Sequence, residues 1–439
     1  MSATRSRTRW LLIPVLLLGA LAVLLALLLV GGWAGVSLKS ASAVWPQGQG
    51  PLDMPEPALP VEPDARIRLD TLMERVPEGL DTSALGTALQ GEGPPDPGLE
   101  LPDELGPALE AMDALVESSG LQMESWGLTD EAPPILGVLA VARARLVRAW
   151  RYAEADRPDE ALAEMLRTAR LGLLLELGGG NLLSAMVGVA IGEEALGELV
   201  ELVSWERPPS AAMLAAASAE IEAASLLPSG LESSILGECA GAEAMYDQMR
   251  WWSREQLFAT TEPGAAAAPG EPVAPGGREC CFPFYDADRT IQLARQRCRQ
   301  AAALSLAPGS QRVFPEPEIL AATGPLDVGR WLDNSVGRVL LDVSTPGYGS
   351  FMARLDRVRS RRALALAWLA VLRWQRDHPD AEPPASLQEL VPAYLIQVPI
   401  DPWDQAPVAY DSGAGALWTS QGAGPDGDDE LRLELGMAF

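Results

Sequence analysis

Between residues 134 and 152 apolar side chains recur at Leu136, Leu139, Val147 and Trp150, with Arg143, Arg145, Arg148 and Arg151 interspersed. That is the period of an amphipathic helix. Asp156-Arg157-Pro158 breaks it, and Asp159 opens a second helix through Leu162, Met165, Leu166, Ala169 and Leu173. Gly178-Gly179-Gly180 ends that helix, and Asn181 is placed to cap a third running to about Trp205. Further helices are expected over 211–227 and 286–303. A long one is expected from near Gly349 to Asp377-His378-Pro379, studded with Arg354, Arg357, Arg359, Arg361 and Arg362. Helix, short turn and antiparallel helix in succession predict a helical-hairpin domain, without a strict tetratricopeptide repeat.

The texture changes after Pro379. Short apolar runs at 407–410, 416–419 and 430–435, separated by Gly and Asp turns, predict three short antiparallel strands. The fold class is thus mainly α, with a small C-terminal α+β domain.

Residues 11–36 carry no charged side chain. About 20 helical residues cross a bilayer core, so residues 10–36 predict one transmembrane anchor, with Trp10 and Trp33 near its ends. Arg5, Arg7 and Arg9 in the basic tip 1–9 place that end in the cytoplasm of a bacterial cell and the bulk outside. Ala41-Ser42-Ala43 has the form of a signal-peptidase site, but the apolar run exceeds a signal core of about 7–15 residues. The Pro- and Gly-rich stretch 37–107 predicts a tether with short helices, 108–348 the helical domain, and 349–439 the C-terminal domain. The Ala/Pro/Gly stretch 260–277 predicts a mobile loop. Residues 171–192, apolar apart from Glu176 and containing Gly188-x-x-x-Gly192, leave two alternatives, a second span or a core helix with a close glycine crossing.

Charge narrows the partners. Thirty-three basic residues against 60 acidic ones give a net charge of −27. Such a surface repels nucleic acid and anionic lipid, leaving the bilayer contact to residues 10–36. Four cysteines, Cys239, Cys280, Cys281 and Cys298, suit two disulfides in an oxidising compartment. Adjacent cysteines seldom bond to each other, so Cys239 and Cys298 are each expected to take one of Cys280 and Cys281.

Catalytic signals are sparse. His378 is the one histidine and sits at a helix end. Asp81-Thr82-Ser83 reads as a turn or cap, and Gly347-Tyr348-Gly349-Ser350 as a turn before the long helix. Asp426, Asp428 and Asp429 bring carboxylates together on a Gly-rich backbone, which fits either oxygen-ligated calcium or an acidic hairpin turn.

Ser386-Leu387-Gln388-Glu389-Leu390-Val391-Pro392-Ala393-Tyr394-Leu395 is followed by Val398-Pro399-Ile400-Asp401-Pro402-Trp403-Asp404, then Leu417-Trp418-Thr419-Ser420 and Gly424-Pro425-Asp426-Gly427-Asp428-Asp429. In this order, about residues 350–439 resemble the C-terminal domain of the major pseudopilin of type II secretion systems. The resemblance implies a long helix leading into a small sheet, and calcium at Asp426, Asp428 and Asp429. The anchor lacks the pseudopilin processing site and its glutamate, so the resemblance does not imply polymerisation. The whole layout also resembles large membrane-anchored bacterial proteins ending in this motif, in which a stretch similar to Asn334-Ser335-Val336-Gly337-Arg338 recurs.

The expected function is a non-enzymatic, anchored extracytoplasmic scaffold that binds an envelope protein near a secretion or pilus-like assembly. An anchored hydrolase using carboxylate acid/base chemistry is the alternative, requiring two convergent carboxylates of unequal pKa in a pocket. A weaker reading is a thiol-redox protein using Cys280-Cys281.

Overall fold

The computed structural model describes residues 52, 55, 59–78, 80–90, 94–96, 99–123, 134–205, 207–249, 285–313, 341, 348–420 and 432–434. The expected basic tip, anchor and 260–277 loop lie outside the described residues. The chain divides into two compact units, one of residues 53–241, 298–314 and 347–439, the other of residues 1–52, 242–297 and 315–346.

The larger unit is built from helices α1 (Pro63–Glu74), α2 (Thr82–Ala88), α3 (Leu105–Val116), α4 (Ile135–Glu154), α5 (Pro158–Leu177), α6 (Leu182–Val203) and α7 (Ala211–Ser225). Two helices, α8 (Leu231–Met249) and α9 (Ala287–Ser305), contribute residues to both units, and α10 (Tyr348–Asp377) belongs to the larger. The local chemistry sets the boundaries. Pro158 opens α5 where no backbone donor is needed, with Asp159 and Glu160 favourably placed in the first turn. Asn181 caps α6 by accepting from the Ser184 amide at 2.8 Å. Asp81 caps α2 through the Ser83 and Ala84 amides at 2.8 and 3.0 Å.

Helices α4, α5 and α6 pack consecutively, and their buried Leu162, Met165, Leu171, Leu175 and Leu199 form the centre of the core. The α5–α6 crossing is close enough to need glycine. A Cβ added to Gly172 would lie 2.7 Å from the Gly188 carbonyl oxygen, and one on Gly188 would lie 2.5 Å from that of Gly172. Between the helices Gly179 and Gly180 take φ of +61° and +78°, which glycine adopts without a Cβ penalty. Residues 171–192 are therefore the end of α5, a turn, and the start of α6. Among the described residues no helix is long and apolar enough to cross a membrane, which removes the second-span alternative for this segment.

Within the stretch 37–107 lie α1 and α2, and α1 is packed into the larger unit. In α1 the buried Ala65, Leu69, Leu72 and Met73 form a helical stripe that packs on α3 and α4, and Pro63 sits at the helix start rather than breaking it.

At the other end α10 lies along α6 and α7 and carries the C-terminal module. Strands β1 (Ala409–Asp411), β2 (Ala416–Trp418) and β3 (Arg432–Glu434) form an antiparallel sheet in the order β1-β2-β3, with Tyr410 opposite Leu417 and Leu417 opposite Leu433. The buried Ala416 and Leu417 belong to the strand that meets α10. Tyr348, Gly349 and Ser350 lie in the first turn of α10 rather than in a turn before it.

In the smaller unit Tyr246, Met249, Ala294 and Leu341 form a buried cluster. Tyr285 donates its hydroxyl to the Tyr246 carbonyl at 2.7 Å, and Arg295 pairs with Glu243 at 2.8 Å.

One expectation is corrected. Cys239 and Cys298 bond to each other, their Cα atoms 6.2 Å apart, rather than each to Cys280 or Cys281. The folding of α8 and α9 brings these two positions together, so sequence adjacency at 280–281 does not decide the pairing. Cys280 and Cys281 lie outside the described residues.

Candidate functional site

The arginines of α10 sort onto two faces by spacing. Arg354, Arg357 and Arg361 share one face, and Arg359 and Arg362, three apart, share another. The first group surrounds Glu193 of α6, at 3.3, 4.0 and 3.4 Å respectively. The second meets Glu176 of α5, with both guanidinium groups 3.6 Å from its carboxylate. Glu176 and Arg362 are deeply buried, 3% and 8% exposed, while Arg359 is half-buried. At 3.6 Å they are ion pairs beyond ordinary hydrogen-bond length, and Glu176 Oε1 has no hydrogen-bond partner. Burial pushes the Arg362 guanidinium down, with Glu176 opposing that shift.

The motif residues of the C-terminal module close over the next turn of α10. Asp401, 1% exposed, accepts from Ser360 Oγ at 2.6 Å, the Trp403 amide at 3.0 Å and Ser420 Oγ at 3.0 Å. Beside it Arg312 binds Asp356 through both guanidinium nitrogens, at 2.5 and 3.2 Å. Burial raises the Asp356 carboxyl, with Arg312 opposing it. A Cβ on Gly309 would lie 2.1 Å from a carbon of the Trp403 ring, so that approach needs glycine. The Asp401-Pro402-Trp403 stretch thus pins the module to α10 and to the 309–311 turn.

Two cavities share Leu227 and Arg362 in their walls. The first, about 230 Å³, is lined mainly by Leu166, Leu173, Leu174, Leu196 and Ile221, with Arg170 and Glu220 as its other charged residues. The second, about 200 Å³, holds Arg359 with Leu226, Ile396 and Ile400. Those three apolar residues are 64%, 67% and 47% exposed. Glu222, also in its wall, accepts from the Ile396 amide at 2.8 Å. A third cavity of about 700 Å³ is lined by Glu62, Arg66, Met123, the Gly178-Gly179-Gly180 turn and Gly237.

Two other buried carboxylates stand among the described residues. Glu164 meets Arg145, fully buried, together with Arg148 and Arg167. Burial pushes Glu164 up, but the arginines outweigh it and hold its carboxyl below the usual range. Glu198 has no such cation. It accepts from the Trp150 indole nitrogen, and burial, reinforced by Glu201 and Glu194, pushes it up to about 8. Trp150 in turn packs on Trp205 with ring centroids 4.7 Å apart.

These positions bear on the residues singled out by sequence. Glu198 lines none of the three cavities, and neither of the two that share Arg362 holds two carboxylates, so the pair that the hydrolase alternative requires is not assembled there. His378 stacks on Trp374 at 4.7 Å, and its Nδ1 lies 2.9 Å from the Trp374 carbonyl, a helix-end role. Asp426, Asp428 and Asp429 lie outside the described residues; among the described residues no group of three His, Cys, Asp or Glu could hold a metal ion. The Glu176–Arg359–Arg362 cluster is absent from the sequence expectations. Its one signal there is Glu176 itself, the lone charge in an apolar run, which burial obliges to find a cation. Compared with family models, curated proteins and solved structures, the chain matches none.

Proposed function

We propose that the chain is a non-enzymatic, membrane-anchored scaffold outside the cytoplasm, held in the bilayer by residues 10–36 and presenting its C-terminal module to an envelope protein of a secretion or pilus-like assembly. The observation that carries this reading is the clamping of α10 along α6 and α7, with the module tied back through Asp401 and Ser360. A surface held that way is presented in a fixed orientation. The Cys239–Cys298 bond suits an oxidising compartment. The resemblance of residues 350–439 to the pseudopilin domain supplies the kind of assembly, and calcium at Asp426, Asp428 and Asp429 belongs to the same proposal.

The test is affinity capture of the full chain from detergent-solubilised membranes, beside a chain ending at Asp380. Secretion or pilus-type components recovered with the full chain and lost with the truncated one support the reading. Equal recovery from both, or none from either, overturns it. A reporter fused after Phe439 must be active outside the cytoplasm, and activity inside contradicts the topology.

A further inference from the structure

Arg362 is an unusual group to find in the wall of an apolar cavity. Its guanidinium is more than nine-tenths buried, and its nearest carboxylate, Glu176, stands 3.6 Å away and is shared equally with Arg359. Arg359, 22% exposed, is also drawn to Asp356, whereas Arg362 is buried with Glu176 at 3.6 Å, beyond ordinary hydrogen-bond length, as its nearby carboxylate. Glu222 is engaged by the Ile396 amide, and Glu220 shares the first cavity with Arg170. Directly against Arg362 lies a cavity of about 230 Å³ walled by seven leucine and isoleucine side chains, and Arg362 also lines a cavity of about 200 Å³ rimmed by exposed Leu226, Ile396 and Ile400. Apolar walls with a few placed polar groups are the make-up of small-molecule sites.

We propose that this is a binding site for a medium-chain fatty carboxylate, its acyl chain in the leucine-lined cavity and its carboxylate taken by Arg362. The planar guanidinium fork suits a carboxylate in particular. The apolar rim gives such a molecule a route from solvent or bilayer without exposing its chain. The proposal is independent of the scaffold reading.

The experiment uses the full chain in phosphatidylcholine nanodiscs, titrated with decanoate labelled with carbon-13 at its carboxyl and followed by NMR. Protein-free nanodiscs give the bilayer-bound signal. A second carboxyl resonance is expected, saturable with protein. It should stay ionised at pH values where the bilayer-bound acid protonates, because a guanidinium partner lowers a carboxyl pKa. Arg362→Met should weaken binding about ten- to a hundredfold, the effect of losing a charge-assisted hydrogen bond. Since that change disturbs a buried ion pair, Gly192→Leu provides a second variant. A Cβ there meets only Val358 at 3.5 Å, so the side chain can fill the cavity with every charge left in place. It should abolish the second resonance while circular dichroism shows an unchanged fold. Only the bilayer signal, an unaltered affinity in Gly192→Leu, or equally tight competition by uncharged decanol each overturns the proposal.

Discussion

Helix α6 is buried against two neighbours by opposite means. Against α5 it uses glycine, so that backbone meets backbone at Gly172 and Gly188. Against α10 it meets arginine, with Glu193 facing three guanidinium groups, while Glu176 of α5 holds two more. The first contact is dry and uses shape alone. The second leaves the arginines at Glu193 partly in water but takes charge out of water at Glu176 and Arg362, which is tolerable only while each keeps its counter-charge. Close apolar crossings and charged seams therefore fail differently, the one by intrusion and the other by loss of a partner.

Removing a partner should do the most damage. Glu176→Gln leaves the buried Arg362 facing no carboxylate, and is expected to cost about 3–5 kcal/mol in denaturant unfolding. A cost below about 1 kcal/mol would show that water or another carboxylate reaches the pair. Intrusion comes next. Gly188→Val places a branched side chain against the Gly172 carbonyl and the Glu176 amide, and is expected to destabilise by about 3 kcal/mol, the upper end of overpacking. An unaltered melting temperature would mean that the helices separate easily.

Glu198 sharpens the contrast, because it is a carboxyl on α6 buried with no cation. Its folded pKa of about 8 lies above the ordinary 4.5, so the folded state holds a proton that the unfolded state has lost. Stability should thus fall as pH rises from about 4.5 to about 8, by about 2 kcal/mol after allowance for partial burial. In Glu198→Gln that part of the pH dependence should disappear, the amide still accepting from Trp150. A wild-type profile that rises over this interval would refute the assignment. The smallest effect is local: Asp81→Ala removes the α2 cap, at about 1 kcal/mol, leaving the α5–α6 and α6–α10 contacts untouched.

Much of the helical layout could be read from the residues. Asn181, Asp81, the glycine triplet and the Leu162–Met165–Leu166 stripe each carry their own local explanation, and the structure places them as that chemistry requires. Helix α8 was not legible. Its Gly237, Gly241 and several alanines give no clear apolar stripe, and Gly237 packs tightly on Gly180, a contact between segments far apart in sequence. Short helices are expected within 37–107, but nothing local tells that α1 packs on α3 and α4. The cysteine pairing was misjudged because it depends on which helices are neighbours. The Arg362 site was legible only as a question posed by Glu176, since the arginines that answer it lie some 180 residues away, beyond any local pattern.

The Cys239–Cys298 bond has a consequence for how the chain can be cut. The chain leaves the larger unit after Gly241 and re-enters it at Cys298, so the bond joins the two ends of the whole 242–297 excursion. A protease that nicks anywhere between them leaves one covalent molecule, which parts into two fragments only on reduction. Insertions or deletions of chain length within the excursion likewise leave the points where it departs and returns fixed to each other.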